Sequence, residues 1–312
     1  MLTTTQSVSS KSRFTLKPRV SGILPAIASP CDERGVFLED RFAALAAHLV
    51  QQGVQGLYVC GNTGDGYKMR LEERKRAAEI AVEVSRASKG TVIVHVGSNN
   101  ESEAMKLAEH AATAGAAAVS SMPPPNLSHA QLADYYAEVA RAARLPMLIY
   151  HVPAITKHSP TLDEMLELLD VDGVVGLKFS DYNLFFLRRL LLARPHTVAF
   201  SGNDEILCLG LQYGAQGGIG MTYNLFPRLY VGIYKHAQAG DIAGAMELQN
   251  LCMSFLDVAF RHGIQRVFEL LMRERGFAPR CFRQRQYQLD DEWCREAIAA
   301  LEPCLCRIEE AC

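Results

Sequence analysis

From residue 20 onward the chain alternates short, continuously apolar runs with longer segments in which apolar residues recur every three or four positions. The apolar runs are SGILPAIAS at 21–29, VQGLYVC at 54–60, TVIVHVG at 91–97, AAAVSSM at 116–122, LPMLIYHV at 145–152, VVGLKF at 174–179, TVAFSG at 197–202 and GGIGM at 217–221. Runs that are apolar throughout, with no polar residue at every second place, suit parallel strands covered on both faces. Helical patterns lie between them, among them LEERKRAAEIAVEVSRAS from Leu71, ESEAMKLAEHAATAG from Glu101 and HAQLADYYAEVARAA from His129. Ser128 stands where an N-cap is needed, and Gly115 where a helix must stop. Strand and helix alternating eight times predict a protein of the α/β class, a (β/α)8 TIM barrel over residues 20–238. A doubly wound open sheet is the competing arrangement, but no GxGxxG follows the first strand, so its dinucleotide-binding form loses support.

Beyond about residue 240 the strand pattern stops. DIAGAMELQNLCMSFLDVAF, IQRVFELLMRERG and DDEWCREAIAALEPCLCRIEEA all read as helix, predicting a C-terminal helical segment over 239–312 that packs on the barrel or on a neighbouring subunit. The first 19 residues are rich in Ser and Thr, carry four basic residues and no acid, and lack apolar periodicity. They read as a disordered N-terminal tail, with an organellar transit segment as the alternative.

Composition narrows the function classes. The chain of 312 residues is 49% hydrophobic and 21% charged, with 32 basic against 34 acidic side chains and a net charge of −2. That is an ordinary globular balance without the basic stripe that nucleic acid requires. No apolar stretch approaches the roughly 20 residues that cross a bilayer, so no membrane partner is expected. The nine cysteines, at 31, 60, 208, 252, 281, 294, 304, 306 and 312, are odd in number and lack CxxC spacing. They suggest neither a disulfide framework nor a zinc site, and read as free thiols of a reducing, cytoplasmic compartment.

In a barrel of this kind, chemistry gathers where strands end. GVVGLKFSD, 173–181, sets Lys178 inside an otherwise apolar strand. A buried ammonium loses several kcal/mol of hydration unless it is paired or gives up its proton. Lys178 therefore reads either as a side chain reaching solvent from a strand end or as an amine desolvated into a nucleophile towards a carbonyl. Tyr150 ends the preceding strand, so both side chains can enter one barrel mouth, and its phenol could relay protons there. Neighbouring His151 faces the other side of that strand and reads as structural, whereas Ser180 shares the face of Lys178 on the period of two. GNTGDG at 61–66 offers Asn62 and Thr63 to a carboxylate; SGNDEI offers Gly202, Asp204 and Glu205, whose acids could either start a helix or accept hydrogen bonds from a polyol. No spacing implies a metal.

GNTGDG, YHVPAIT, GLKFSD, SGNDEI and GGIGMTYN together resemble the N-acetylneuraminate lyase and dihydrodipicolinate synthase family, the class I aldolases that bind pyruvate, from about Gly22 to Arg280. The resemblance implies a (β/α)8 barrel followed by C-terminal helices, assembled as a homotetramer of tight dimers. It implies that Lys178 attacks the C2 carbonyl of a 2-oxo acid and that the iminium then acts as electron sink for the C3–C4 bond, with no cofactor beyond this imine. Asn62 and Thr63 map onto the turn that holds the pyruvyl carboxylate, Tyr150 onto the proton shuttle, and Asp204 and Glu205 onto the acids that meet the sugar tail.

The lyase branch is the closer match. Ile155 stands where dihydrodipicolinate synthases carry the arginine for their acidic second substrate, which disfavours that condensation. The expected reaction is carbon–carbon cleavage of a 2-oxo-3-deoxy sugar acid to pyruvate and an aldehyde. A hydro-lyase acting on such an acid and a ligand-binding regulatory protein are the alternatives. The chain departs from the family's pattern at Asn62, where lyases have a hydroxyl; at Asp65, which replaces a glutamate; and at Met221, which replaces a serine near the sugar tail. The exit SSMPPPN lacks the aromatics that the family often carries there.

Overall fold

The computed structural model describes residues 20–284 and 289–311. The segment read above as a disordered tail, 1–19, lies outside the described residues. All eight apolar runs contain strand: β1 Gly22–Ile23, β2 Gly56–Val59, β3 Thr91–His95, β4 Ala118–Ser121, β5 Met147–His151, β6 Val174–Phe179, β7 Val198–Ser201 and β8 Gly217–Gly218. Each is parallel to its neighbour in the order β1-β8-β7-β6-β5-β4-β3-β2. The ring closes between β1 and β2 through a parallel bridge from Ala26 to Tyr58 and the hydrogen bonds Gln55 N to Ile23 O (3.0 Å) and Tyr58 N to Pro25 O (2.9 Å). The first run is longer than its strand because Pro25 has no amide proton to give a ladder.

Period-two alternation divides the buried side chains into two cores. Leu24, Ala26, Tyr58, Ile93, Ala118, Leu148, Phe200 and Ile219 fill the barrel interior. The opposite faces of the strands pack against the helices in one continuous outer cluster, which explains why the runs are apolar at nearly every position. The three helical patterns form Leu71–Ser85, Glu101–Ala114 and His129–Ala143. Ser128 Oγ accepts the Gln131 amide while Gln131 reaches back to the Ser128 amide, and Gly115 ends its helix in the left-handed region at φ +93°.

Helices Ile242–Arg261, Ile264–Glu274 and Asp291–Ala311 form the C-terminal part, as the sequence predicts. Among the described residues no helix is long and apolar enough to cross a membrane. Ile242–Arg261 reaches the β7 exit through Gln249, which is 1% exposed. Its amide nitrogen donates to Asp204 O (3.1 Å) and its amide oxygen accepts Cys208 N–H (2.9 Å). Further on, Arg280 O accepts Cys31 N–H (2.9 Å) and Arg283 N–H donates to Asp65 Oδ2 (2.9 Å), so the chain after Ile264–Glu274 returns to the barrel mouth.

Because Gln249 satisfies two buried backbone groups, Gln249→Ala is expected to destabilise the protein by about 2–3 kcal/mol. Denaturant unfolding should show one shifted cooperative transition. A second transition, or a change within about 0.5 kcal/mol, would contradict this coupling of helix and barrel.

Candidate active site

Tyr150 on β5 and Lys178 on β6 are direct register partners, and both project into the barrel mouth. Lys178 is 4% exposed. Its Nζ lies 4.2 Å from the centroid of the Tyr150 ring and 4.5 Å from that of Tyr58. Attraction of an ammonium to such rings is worth about 0.5–2 kcal/mol. The hydration lost on burial is several kcal/mol, so desolvation wins. It lowers the amine from 10.5 to about 7, with the Asp204 carboxylate opposing the fall. Near neutral pH a large fraction of this lysine is unprotonated, the form able to act as a nucleophile.

The Tyr150 phenol is pushed up to about 12 by burial, while the Ser180 hydroxyl and the Asn62 amide favour its anion. Asn62 Nδ2 donates to the Tyr150 oxygen at 3.2 Å. Ser180 Oγ is buried beside it without a well-aligned hydrogen bond among the described residues. Gly202 on the neighbouring strand exit leaves room for that hydroxyl, because a Cβ there would stand 2.0 Å from Ser180 Oγ. His151 points out of the barrel as its position predicts, stacked on Phe179 (5.2 Å) with Nε2 3.4 Å from Asp181.

A cavity of about 370 Å3 lies next to this pair, joined to it through Asn62, and is lined by Asn62, Thr63, Tyr67, Ile155, Met221 and Phe282 among others, while Tyr150, Lys178, Ser180 and Gly202 do not border it. Its volume lies in the range of small-molecule sites. Lys68, 2.9 Å from Asp65, also lines it. Asp65 thus stands between Lys68 and the buried Arg283, whose guanidinium lies 4.0 Å away.

The two acids of SGNDEI sit differently. Asp204 is buried, and its Oδ2 accepts both the amide (2.7 Å) and the hydroxyl (2.6 Å) of Thr222. The hydroxyls of Thr222 and Tyr230 are 2.5 Å apart, and Tyr230 in turn meets Cys252 Sγ at 2.8 Å, so this carboxylate is anchored to helix Ile242–Arg261. Burial raises Asp204 to about 6. Glu205 accepts a hydrogen bond from the Tyr182 hydroxyl, on the exposed loop after β6. Neither acid borders the cavity that holds Asn62, Thr63 and Met221.

Tyr58 and His95 complete the floor, and sequence reasoning passed over both. Tyr58 donates to Ser120 Oγ (3.1 Å), and its ring meets Tyr150 edge-on at 6.2 Å. His95 also meets Tyr150 edge-on, at 5.8 Å; its Nε2 accepts the Met122 amide (3.1 Å), which places the ring proton on Nδ1. Burial holds its imidazole well below the usual range, hence neutral. Both residues face inward, as Tyr150 and Lys178 do, but at other registers, Tyr58 opposite Ile93 and His95 opposite Ser120, so the available signal was only a polar atom in an inward-facing strand position. Among the described residues, no three His, Cys, Asp or Glu side chains are grouped to hold a metal ion.

Comparison with known proteins agrees with this geometry. The chain is 35% identical over 248 residues to N-acetylneuraminate lyase of Citrobacter koseri, covering 78% of this chain and 83% of that enzyme. It is 34% identical over 250 residues to N-acetylneuraminate lyase of Salmonella typhimurium, covering 79% and 84%. Among solved structures, N-acetylneuraminate lyase of Mycoplasma synoviae superposes with a TM-score of 0.83 at 27% identity, covering 92% of this chain and 99% of that one. The Fusobacterium nucleatum enzyme complexed with pyruvate gives 0.85 at 26% identity, covering 91% and 97%. The model of the dihydrodipicolinate synthetase family matches residues 19–302. The chain belongs to that family.

Proposed function

We propose that this chain is a carbon–carbon lyase of the class I aldolase type, cleaving a 2-oxo-3-deoxy sugar acid of the N-acetylneuraminate kind to pyruvate and an aldehyde. One observation carries the reading: an amine 4% exposed, brought to about 7 by burial, and partnered in the barrel by a tyrosine. Such a lysine condenses with a ketone and needs no further cofactor. The likeness to lyases in sequence, and to one solved with pyruvate, supports both the reaction and the substrate class.

In this reading Lys178 Nζ attacks C2 of the oxo acid and water leaves. The iminium accepts the electron pair of the C3–C4 bond as the aldehyde departs. Tyr150, whose phenol stays protonated at neutral pH, takes the proton of the C4 hydroxyl while passing on its own, and later supplies one to C3. Asn62 and Thr63 hold the carboxylate, with Asn62 also fixing the phenol. Ser180 and Gly202 shape the floor beside the imine. Met221 faces the tail of the substrate in the cavity, while Asp204 and Glu205 support that side of the mouth from behind. We further propose a homotetramer acting in the cytoplasm, as the family resemblance suggests.

Incubation with N-acetylneuraminate is expected to release one pyruvate per substrate consumed; consumption without pyruvate would point to dehydration. Borohydride with pyruvate should add the mass of one reduced pyruvyl group to the wild type and nothing to Lys178→Ala. An adduct that survives in Lys178→Ala would remove that lysine from the reaction. Tyr150→Phe should retain the fold, measured by circular dichroism, and lose about 10²-fold or more in kcat. Near-normal turnover would exclude the phenol from proton transfer.

A further inference from the structure

One polar atom at the cavity wall has no partner supplied by the fold. Tyr67 follows the 61–66 turn and packs against the cluster of Met122, Tyr150 and Val152. Its ring lies 5.5 Å from that of His95. The hydroxyl turns inward over Gly97: a Cβ on that glycine would stand 2.6 Å from the phenolic oxygen and 3.0 Å from His95 Nε2. Yet this buried hydroxyl makes no hydrogen bond among the described residues. An unpaired buried hydroxyl costs about 1–3 kcal/mol, and phenylalanine would fill the same space without that cost. The oxygen therefore points to a partner that enters the site.

Tyr67 also borders two cavities. One is the site described above. The other, of about 260 Å3, has a polar wall formed by Arg74, Ser98, Asn99, Asn100 and Glu103, with Ser98 Oγ donating to Glu103 Oε2 at 3.0 Å. Tyr150, by contrast, is 4% exposed and enclosed. The Asn62 amide nitrogen at its oxygen is a donor and cannot take a proton from it. The β4 exit, Met122 followed by three prolines, offers no titratable group.

We propose that the Tyr67 hydroxyl is the second station of a proton relay that joins Tyr150 to the outer polar cavity; this rests on the Schiff-base reading above. As the C3–C4 bond breaks, its electron pair enters the C2–C3 enamine and neutralises the iminium. The C4 hydroxyl gives its proton to Tyr150, which passes its own through a cavity water to Tyr67. Tyr67 releases a proton to the outer cavity, where Glu103 is the carboxylate at hand. The reverse sequence returns a proton to C3, the enamine pair forms the new C–H bond, and the iminium is restored. No proton is gained or lost overall, and nothing is oxidised.

The test is exchange of the pyruvate methyl hydrogens in D2O, followed by NMR, in wild type and Tyr67→Phe. Loss of the hydroxyl should slow exchange about tenfold or more. It should leave the borohydride-trapped adduct at its wild-type level and the Tm equal or higher. Exchange at the wild-type rate with a normal adduct would overturn the relay alone. An adduct lost in Tyr67→Phe would assign the residue to the shape of the pocket and also overturn the relay. No adduct in the wild type would overturn both this inference and the Schiff-base reading.

Discussion

The structure turns on the dehydration of one amine. Lys178 reaches into a barrel whose nearest groups are aromatic rings, and what they withhold matters more than what they supply. A fall from 10.5 to about 7 corresponds to roughly 5 kcal/mol against the charged form, more than the rings return by cation–π attraction. The same burial lifts Tyr150 and Asp204 and depresses His95, so each of these groups is moved towards its neutral form. Acid–base chemistry near pH 7 follows from this shared dryness as much as from any single hydrogen bond.

Keeping the mouth dry and in register is the work of distant parts of the chain. Among the described residues Asp204 is the charged group that opposes the loss of the lysine's proton, and its carboxylate is held by Thr222, backed in turn by Tyr230 and Cys252, while its backbone carbonyl is held by Gln249. Helix Ile242–Arg261 therefore bears on the electrostatics of the site without touching the lysine. On the opposite side, the stretch after Ile264–Glu274 brings Phe282 to the cavity wall and fixes Asp65 through the Arg283 amide.

Much of this could be read from the chain. The eight apolar runs gave away the strands because each is covered on both faces, and Lys178 was conspicuous as the one charge within them. Pairing it with Tyr150 needed only the adjacency of β5 and β6. Tyr58 and His95 were hidden because an aromatic residue in an apolar run looks like core until its register is known. Tyr67 was hidden because it follows a turn, where sequence gives no direction to a side chain. The engagement of Asp204 by Thr222 joins residues 18 apart across two strand exits, and no local pattern announces it. Family resemblance implies that these acids meet the sugar tail, and only coordinates show how far their oxygens are already occupied.

The central claim is that a large share of Lys178, about half, is uncharged at neutral pH because it is dry. Protein labelled with 13C at lysine Cε, titrated by NMR and assigned by the signal missing in Lys178→Met, measures this directly. The account predicts a midpoint near 7 for that one lysine. A midpoint near the ordinary value of about 10.5 would contradict it.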